Sequence, residues 1–97
     1  MGDASPLLLR VCFVCQRGII CNDESLKATS NKLILEGFLE ERSGRIFITQ
    51  KGITQIGIED GGGLNMMRKG VKAFRTAKDW QKTGKILAPS TLVEKLR

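Results

Sequence analysis

Three cysteines near the start of the chain have a spacing that could support metal binding or redox chemistry. Cys12, Cys15 and Cys21 form the pattern C-x2-C-x5-C. A structural zinc site needs four nitrogen or sulfur ligands, and the chain has no histidine and no fourth cysteine. Two of the cysteines lie in the apolar stretch "VCFVC", where a free thiol packs as a small hydrophobic group. We therefore predict core packing, with no cofactor, and keep a metal or redox role as the alternative.

The residue types needed for common enzyme mechanisms are also scarce. Without histidine, the chain cannot form the usual Ser/His or Cys/His nucleophile pairs. It has no "GxxxxGK[ST]" phosphate-binding loop and no convincing pair of carboxylates. These observations predict that the protein is not an enzyme and has no small-molecule substrate. An odd number of cysteines is a poor disulfide framework, which favours a reducing, cytoplasmic location.

The size and apolar content are typical of one folded domain. The chain has 97 residues, of which 41% are hydrophobic. Its most apolar stretch, "PLLLRVCFVC", is interrupted by Arg10 and is shorter than the roughly 18 residues needed to cross a bilayer. We expect a core helix here and no membrane association.

The charge is distributed unevenly along the sequence. Residues 1–63 contain seven Lys/Arg and eight Asp/Glu, whereas residues 64–97 contain nine Lys/Arg and two Asp/Glu. The net charge of +6 therefore comes from the last third of the chain. A basic segment of this kind indicates a polyanionic partner, because binding to phosphates releases their counterions. A solvated basic surface that only aids solubility is the alternative.

The basic segment contains the clearest helical pattern, at residues 64–83. At about 100° per residue, one side of this helix carries Met66, Ala73, Phe74, Ala77 and Trp80. The other side is cationic and gives six candidate nucleic-acid contacts: Arg68, Lys69, Lys72, Arg75, Lys78 and Lys82. Val71 is the main apolar residue outside the apolar side. The sequence "PSTLVEKLR" predicts one more helix at the end of the chain.

The first part of the chain alternates between helical and strand patterns. We predict a helix at 6–17, a short strand at 19–21, a helical region from 24 to Gly37, and a hairpin ending at Thr49, which caps another helix. The "TSN" at 29–31 is either a turn between two helices or part of one longer helix. The predicted fold is α+β and mainly helical, with a domain at 1–60 and a basic helical extension at 64–97 packed on it.

The stretch from Leu33 to Gly52 resembles the second half of winged-helix DNA-binding domains, particularly bacterial regulators. The matching features are a helix-ending leucine, the sequence Gly37-Phe38-Leu39, the arginine-bearing turn "EERSGR", and the strand and turn "FITQKG". The resemblance covers about twenty residues. Upstream the chain is shorter than the family pattern, so either the first helix is abbreviated or the helix at 6–17 replaces a missing element.

The resemblance implies which residues contact DNA. The exposed residues before Leu33 would face the major groove, and these are Lys27, Thr29, Ser30, Asn31 and Lys32. Arg42 and Arg45 would lie on the wing and reach phosphate or an adjacent minor groove. The core would consist of Leu26, Leu33, Ile34, Phe38, Ile46, Ile48, Ile53 and Ile56.

Two functions follow from these patterns. The first is a small transcriptional regulator that binds double-stranded DNA, with a possible homodimer through Met66, Phe74 and Trp80. The second is a protein-interaction module, either an adaptor or an inhibitor, that docks the amphipathic helix 64–83 on an acidic partner. The acidic patches in the first half of the chain favour this second function because they would repel phosphate.

Overall fold

The computed structural model of the protein describes residues 5–61 and 63–88, with the backbone alone at residues 60 and 63–67. The fold is α+β and mainly helical, as predicted. Within the described residues no helix combines the length and the apolar character needed to cross a membrane. The elements in chain order are α1 (Ser5–Val14), β1 (Ile20–Cys21), α2 (Glu24–Leu35), β2 (Leu39–Arg42), β3 (Arg45–Ile48), α3 (Gln50–Asp60), α4 (Gly63–Lys82) and β4 (Ile86–Leu87).

Helix α1 is the centre of the core, which confirms the prediction of a core helix. It packs against α2, α3, α4 and β3. Leu8, Val11 and Cys12 are fully buried. Arg10 is also buried, and its guanidinium donates a hydrogen bond to the Glu59 carboxylate over 3.4 Å, which ties α1 to α3. This ion pair explains how an arginine is tolerated within so apolar a helix.

Helix α2 is one continuous helix, which decides between the two interpretations of residues 29–31. The Asp23 side chain caps it by accepting a hydrogen bond from the Leu26 amide over 3.2 Å. The Thr29 hydroxyl donates to the Ser25 carbonyl, and the Ser30 hydroxyl donates to the Lys27 carbonyl. Because both hydroxyls bond within the helix, the polar residues do not interrupt it.

Strands β2 and β3 form the predicted antiparallel hairpin. Leu39 pairs with Ile48 at one end, and Arg42 pairs with Arg45 beside the turn. Ser43 and Gly44 both have positive φ, of 53° and 79°. A two-residue turn with positive φ at both positions matches the right-handed twist of the strands and is typical of tight hairpins.

A second pair of strands extends this small sheet. β1 pairs antiparallel with β4, with Ile20 opposite Leu87 and Cys21 opposite Ile86. A bridge between Ile19 and Ile46 joins β1 to β3 through hydrogen bonds of 3.0 and 2.8 Å. This pairing holds the segment that follows α4 beside β1.

The hairpin leads directly into α3 through Thr49, whose role as the helix cap is confirmed. The Thr49 hydroxyl accepts a hydrogen bond from the Gly52 amide over 3.1 Å and donates to the Gly37 carbonyl over 2.6 Å. Gly37 has a φ of 85°, which allows α2 to end sharply at this point. One side chain therefore connects the end of α2, the end of the hairpin and the start of α3.

The predicted core residues are all buried or half-buried. Leu26, Leu33, Ile46 and Ile56 are buried. Ile34, Phe38, Ile48 and Ile53 are half-buried, and the first three of these pack against the buried core. The helix predicted at the end of the chain falls on residues outside the described ranges.

Candidate nucleic-acid interface

Helix α4 presents its cations to solvent, as the sequence pattern predicted. Ala73 and Ala77 are buried, and α4 packs against α1 and α3. The six candidate residues are all exposed: Arg68, Lys69, Lys72, Arg75, Lys78 and Lys82. From Arg68 to Lys82 the helix rises about 21 Å, at 1.5 Å per residue, which matches about six base pairs of B-form DNA. We call these six side chains the α4 stripe.

Two of the apolar residues predicted for a dimer contact are less exposed than the cations of α4. Trp80 packs against the core of its own chain, and Phe74 is half-buried. The Lys78 ammonium lies over the Phe74 ring, 5.6 Å from its centroid. The Met66 side chain lies outside the described part of the structure. Within that part, the exposed side of α4 is mainly cationic, and Val71 is an exposed apolar residue on it.

The predicted recognition residues of α2 divide into accessible and inaccessible groups. Lys27, Asn31 and Lys32 are exposed, and Thr29 is half-buried. Ser30 is only 3% exposed and presents little surface to a DNA groove. It lies between Leu26 and Leu33 on the buried side of the helix, because residues three and four positions apart share one face.

A groove of about 190 Å³ separates α2 from the hairpin. Lys27 and Asn31 line its helical wall, and Glu41 and Gly44 line the hairpin wall. Glu41 was not among the site residues predicted from the sequence. The alternation of side chains along the strand could have predicted its position, because Glu41 must project to the face opposite Arg42.

The two wing arginines lie on the opposite face of the hairpin from this groove. Opposed residues in an antiparallel pair project to the same side, so Arg42 and Arg45 share a face with Glu40 and Phe47. The Arg42 guanidinium contacts the Glu40 carboxylate at 3.5 Å and lies 4.3 Å from the Phe47 ring centroid. The structure therefore does not bring the arginines together with Lys27 and Asn31.

The exposed surface of α2 and the hairpin differs strongly in net charge from the exposed side of α4. The exposed charged residues of α2 and the hairpin comprise four acids and four bases: Glu24, Lys27, Lys32, Glu36, Glu40, Glu41, Arg42 and Arg45. The described part of α4 has six exposed cations and one exposed acid, Asp79. The electrostatic potential therefore favours anions at the α4 stripe over α2 and the hairpin.

The two helices also differ in position. α2 and α4 each pack against α1 and share no extended contact within residues 5–61 and 63–88. The far end of α4 nevertheless returns to the start of α2. The Lys85 carbonyl accepts hydrogen bonds from the amides of Asn22 and Asp23 over 2.8 and 3.2 Å. These two hydrogen bonds hold the segment that follows α4 against the start of α2.

The three cysteines are free thiols within the core. Burial raises the pKa of Cys15 to about 11 and the pKa of Cys12 well above its ordinary value. Burial also raises the pKa of Cys21, against a lowering by the hydrogen bond with Ser30. The thiols therefore stay protonated at neutral pH, and a protonated thiol is a poor nucleophile and metal ligand. Among the described residues, no group of three or more His, Cys, Asp or Glu side chains could hold a metal.

We expect these thiols to make the protein less stable in alkaline solution. The unfolded chain releases the Cys15 proton near pH 9, whereas the folded chain keeps it up to a pKa of about 11. The resulting stabilisation is complete below pH 9 and is lost as pH rises through 11, at up to about 1.4 kcal/mol per pH unit for each protonated thiol. Urea unfolding at several pH values, with a reductant present and Trp80 fluorescence as the signal, measures this slope.

The matched variant is Cys15→Ala, which removes one of the titrating groups. Its free energy of unfolding should fall less steeply between pH 9 and 11 than that of the parent protein. All other ionisable groups are common to both chains, so their contributions cancel in the comparison. Identical slopes would show that Cys15 titrates alike in the folded and unfolded states.

Comparison with known proteins does not assign the chain to a family. No family model, no curated protein and no solved structure matches it.

Proposed function

We propose that this protein binds double-stranded DNA and acts as a small transcriptional regulator, with the α4 stripe as its main phosphate-binding surface. The observation that carries the proposal is the six-to-one excess of exposed cations over acids on the described part of α4. Solubility alone does not require such an excess on one helix. Each cation that neutralises a phosphate contributes to affinity by releasing condensed counterions.

The winged-helix resemblance supports the same proposal. The chain has the order of helix, short strand, helix and hairpin, with Thr49 capping the helix that follows. It differs in having the single helix α2 between β1 and the hairpin, where the family pattern needs more elements. In this proposal Lys27, Asn31 and Lys32 make secondary contacts from α2, and Glu41 limits how closely a phosphate approaches the groove.

The aromatic residues favour a duplex over a single strand. Cations lie over the rings of Phe38, Phe47 and Phe74, contributed by Lys51, Arg42 and Lys78. Single-stranded nucleic acids are commonly bound by stacking bases on exposed rings. Here a stacked base would first have to displace a cation from the ring.

Fluorescence anisotropy with a labelled random-sequence duplex tests the proposal. We expect measurable binding at low salt and a linear fall of log K with log salt, at about 0.9 per phosphate contacted. The matching single strand should bind more weakly, because it has a lower charge density. Absence of binding to the duplex at low salt would remove the proposal.

Val71 favours a protein-interaction module as the second function. This side chain is 55% exposed on the cationic side of α4, where a phosphate would gain little from an apolar neighbour. An acidic amphipathic partner would bury it and also pair with Lys78 and Arg75. A defined partner that remains bound after nuclease treatment and is lost in Val71→Ser would support this function, and loss of the partner with nuclease would count against it.

A further inference from the structure

The side of the sheet that faces away from α1 carries an unusual combination of exposed side chains. Ile20 is 37% exposed and Leu87 is 54% exposed, and the two are paired across β1 and β4. The Ile19–Ile46 bridge places Arg45 opposite Ile20, and Arg42 follows as the partner of Arg45. The four residues therefore form one row across the strands, which we call the outer row.

A depression of about 240 Å³ lies along this row, lined by Ile20, Arg45, Leu87 and Ala88. The backbone at Gly18 lies close beside it, because a Cβ there would come within 2.9 Å of the Phe47 ring and 3.1 Å of the Arg45 Cβ. A side chain at position 18 would therefore collide with Phe47 and Arg45.

The two arginines of the outer row differ in how they are bound. Arg42 is held by Glu40 and by the Phe47 ring. Within residues 5–61 and 63–88, the Arg45 guanidinium has no hydrogen bond, ion pair or ring contact. It therefore retains all of its donors at the edge of an apolar depression. An arginine in this position can take a carboxylate through two parallel hydrogen bonds.

We propose that the outer row binds a segment of a partner protein in which an acidic side chain lies next to a branched or aromatic apolar one. The apolar side chain enters the depression between Ile20 and Leu87, and the carboxylate pairs with Arg45. DNA fits this face less well, because the exposed isoleucine and leucine gain little from phosphates and Glu40 repels them. The inference does not depend on DNA binding, since it concerns a different surface from the α4 stripe.

Selection from a displayed library of random twelve-residue peptides tests the proposal. The 97-residue chain should enrich peptides with Asp or Glu beside Leu, Ile, Val or Phe. Arg45→Glu should reverse the preferred charge to Lys or Arg, and the acidic peptides selected on the parent should bind this variant at least about tenfold more weakly. Leu87→Ser should keep the acidic preference and lose the apolar one.

The control is Arg75→Glu, which makes the same charge change on α4 and should leave the selected motif unchanged. Circular dichroism melting of each variant confirms folding, and both altered side chains of the outer row are exposed. The proposal fails if no motif is enriched or if Arg45→Glu selects the same acidic motif. It also fails if duplex DNA displaces the selected peptides and Arg45→Glu weakens DNA binding as much as Arg75→Glu does. Failure of DNA binding leaves the peptide result unaffected.

Discussion

Replacing Gly52 by alanine is expected to destabilise the protein by about 3 kcal/mol. A Cβ at this position would lie 2.3 Å from the Phe38 carbonyl oxygen and 2.7 Å from the Ile48 Cγ1. The oxygen cannot move aside easily, because it accepts a hydrogen bond from the Thr49 amide over 3.0 Å. Helix propensity alone predicts the opposite effect, a gain of about 1 kcal/mol. Denaturant unfolding followed by circular dichroism measures the change.

Gly57→Ala in the same helix is the matched control. No atom lies within 4 Å of a Cβ added at Gly57. This substitution should therefore stabilise α3 by about 0.5–1 kcal/mol, as expected for alanine in an open helical position. If both substitutions stabilise the protein, Gly52 does not approach the Phe38 carbonyl as closely as described here.

The second large effect is expected for Leu8→Ala in α1. Leu8 is fully buried in the helix that contacts α2, α3, α4 and β3, so truncation leaves a cavity in the core. Substitutions of this kind cost about 2–5 kcal/mol. For a chain of this size such a loss is a large fraction of the total stability. The free energy of unfolding in urea gives the magnitude.

Leu7→Ala changes the adjacent leucine in the same way and serves as its control. Leu7 is 36% exposed, and its truncation should cost less than about 1 kcal/mol. An equal loss at the two positions would mean that α1 is rotated about its axis from the orientation described here.

Local sequence patterns predicted most of the elements. The alternation at 45–49 and Gly44 in the turn predicted the hairpin, and Thr49 was correctly identified as a cap. The amphipathic pattern at 64–83 predicted α4 almost to the residue, since Gly63–Lys82 is observed. The helix predicted at 6–17 ends earlier, at Val14, because the chain turns before it enters β1. These features depend on residues close in sequence, and the side chains themselves carry the signal.

Features that depend on distant contacts could not be predicted in this way. The pairing of β1 with β4 joins residues more than sixty positions apart, and neither two-residue strand is distinctive by itself. Gly52 appeared only to weaken its helix, because its contact with Phe38 arises from tertiary packing. The candidate site shows the same difference between local and long-range features. The cations of α4 were predicted as a group, whereas the separation of Arg42 and Arg45 from Lys27 required knowledge of how the hairpin lies against α2.

Two charge-matched variants test whether α4 is the main phosphate-binding helix. Arg68, Lys72 and Arg75 are changed to glutamine in the first variant, and Arg17, Lys27 and Lys32 are changed to glutamine in the second. Each variant loses three positive charges, so any general effect of net charge is the same in both.

The decisive measurement is the slope of log K against log salt for duplex binding by these two variants and the parent protein. Loss of the α4 residues should reduce the slope by about 2.7, at 0.9 per phosphate contact, and loss of the other three should reduce it by at most about 1.8, from Lys27 and Lys32. Equal reductions in the two variants, or a parent protein whose affinity does not depend on salt, would contradict the assignment of phosphate binding to α4.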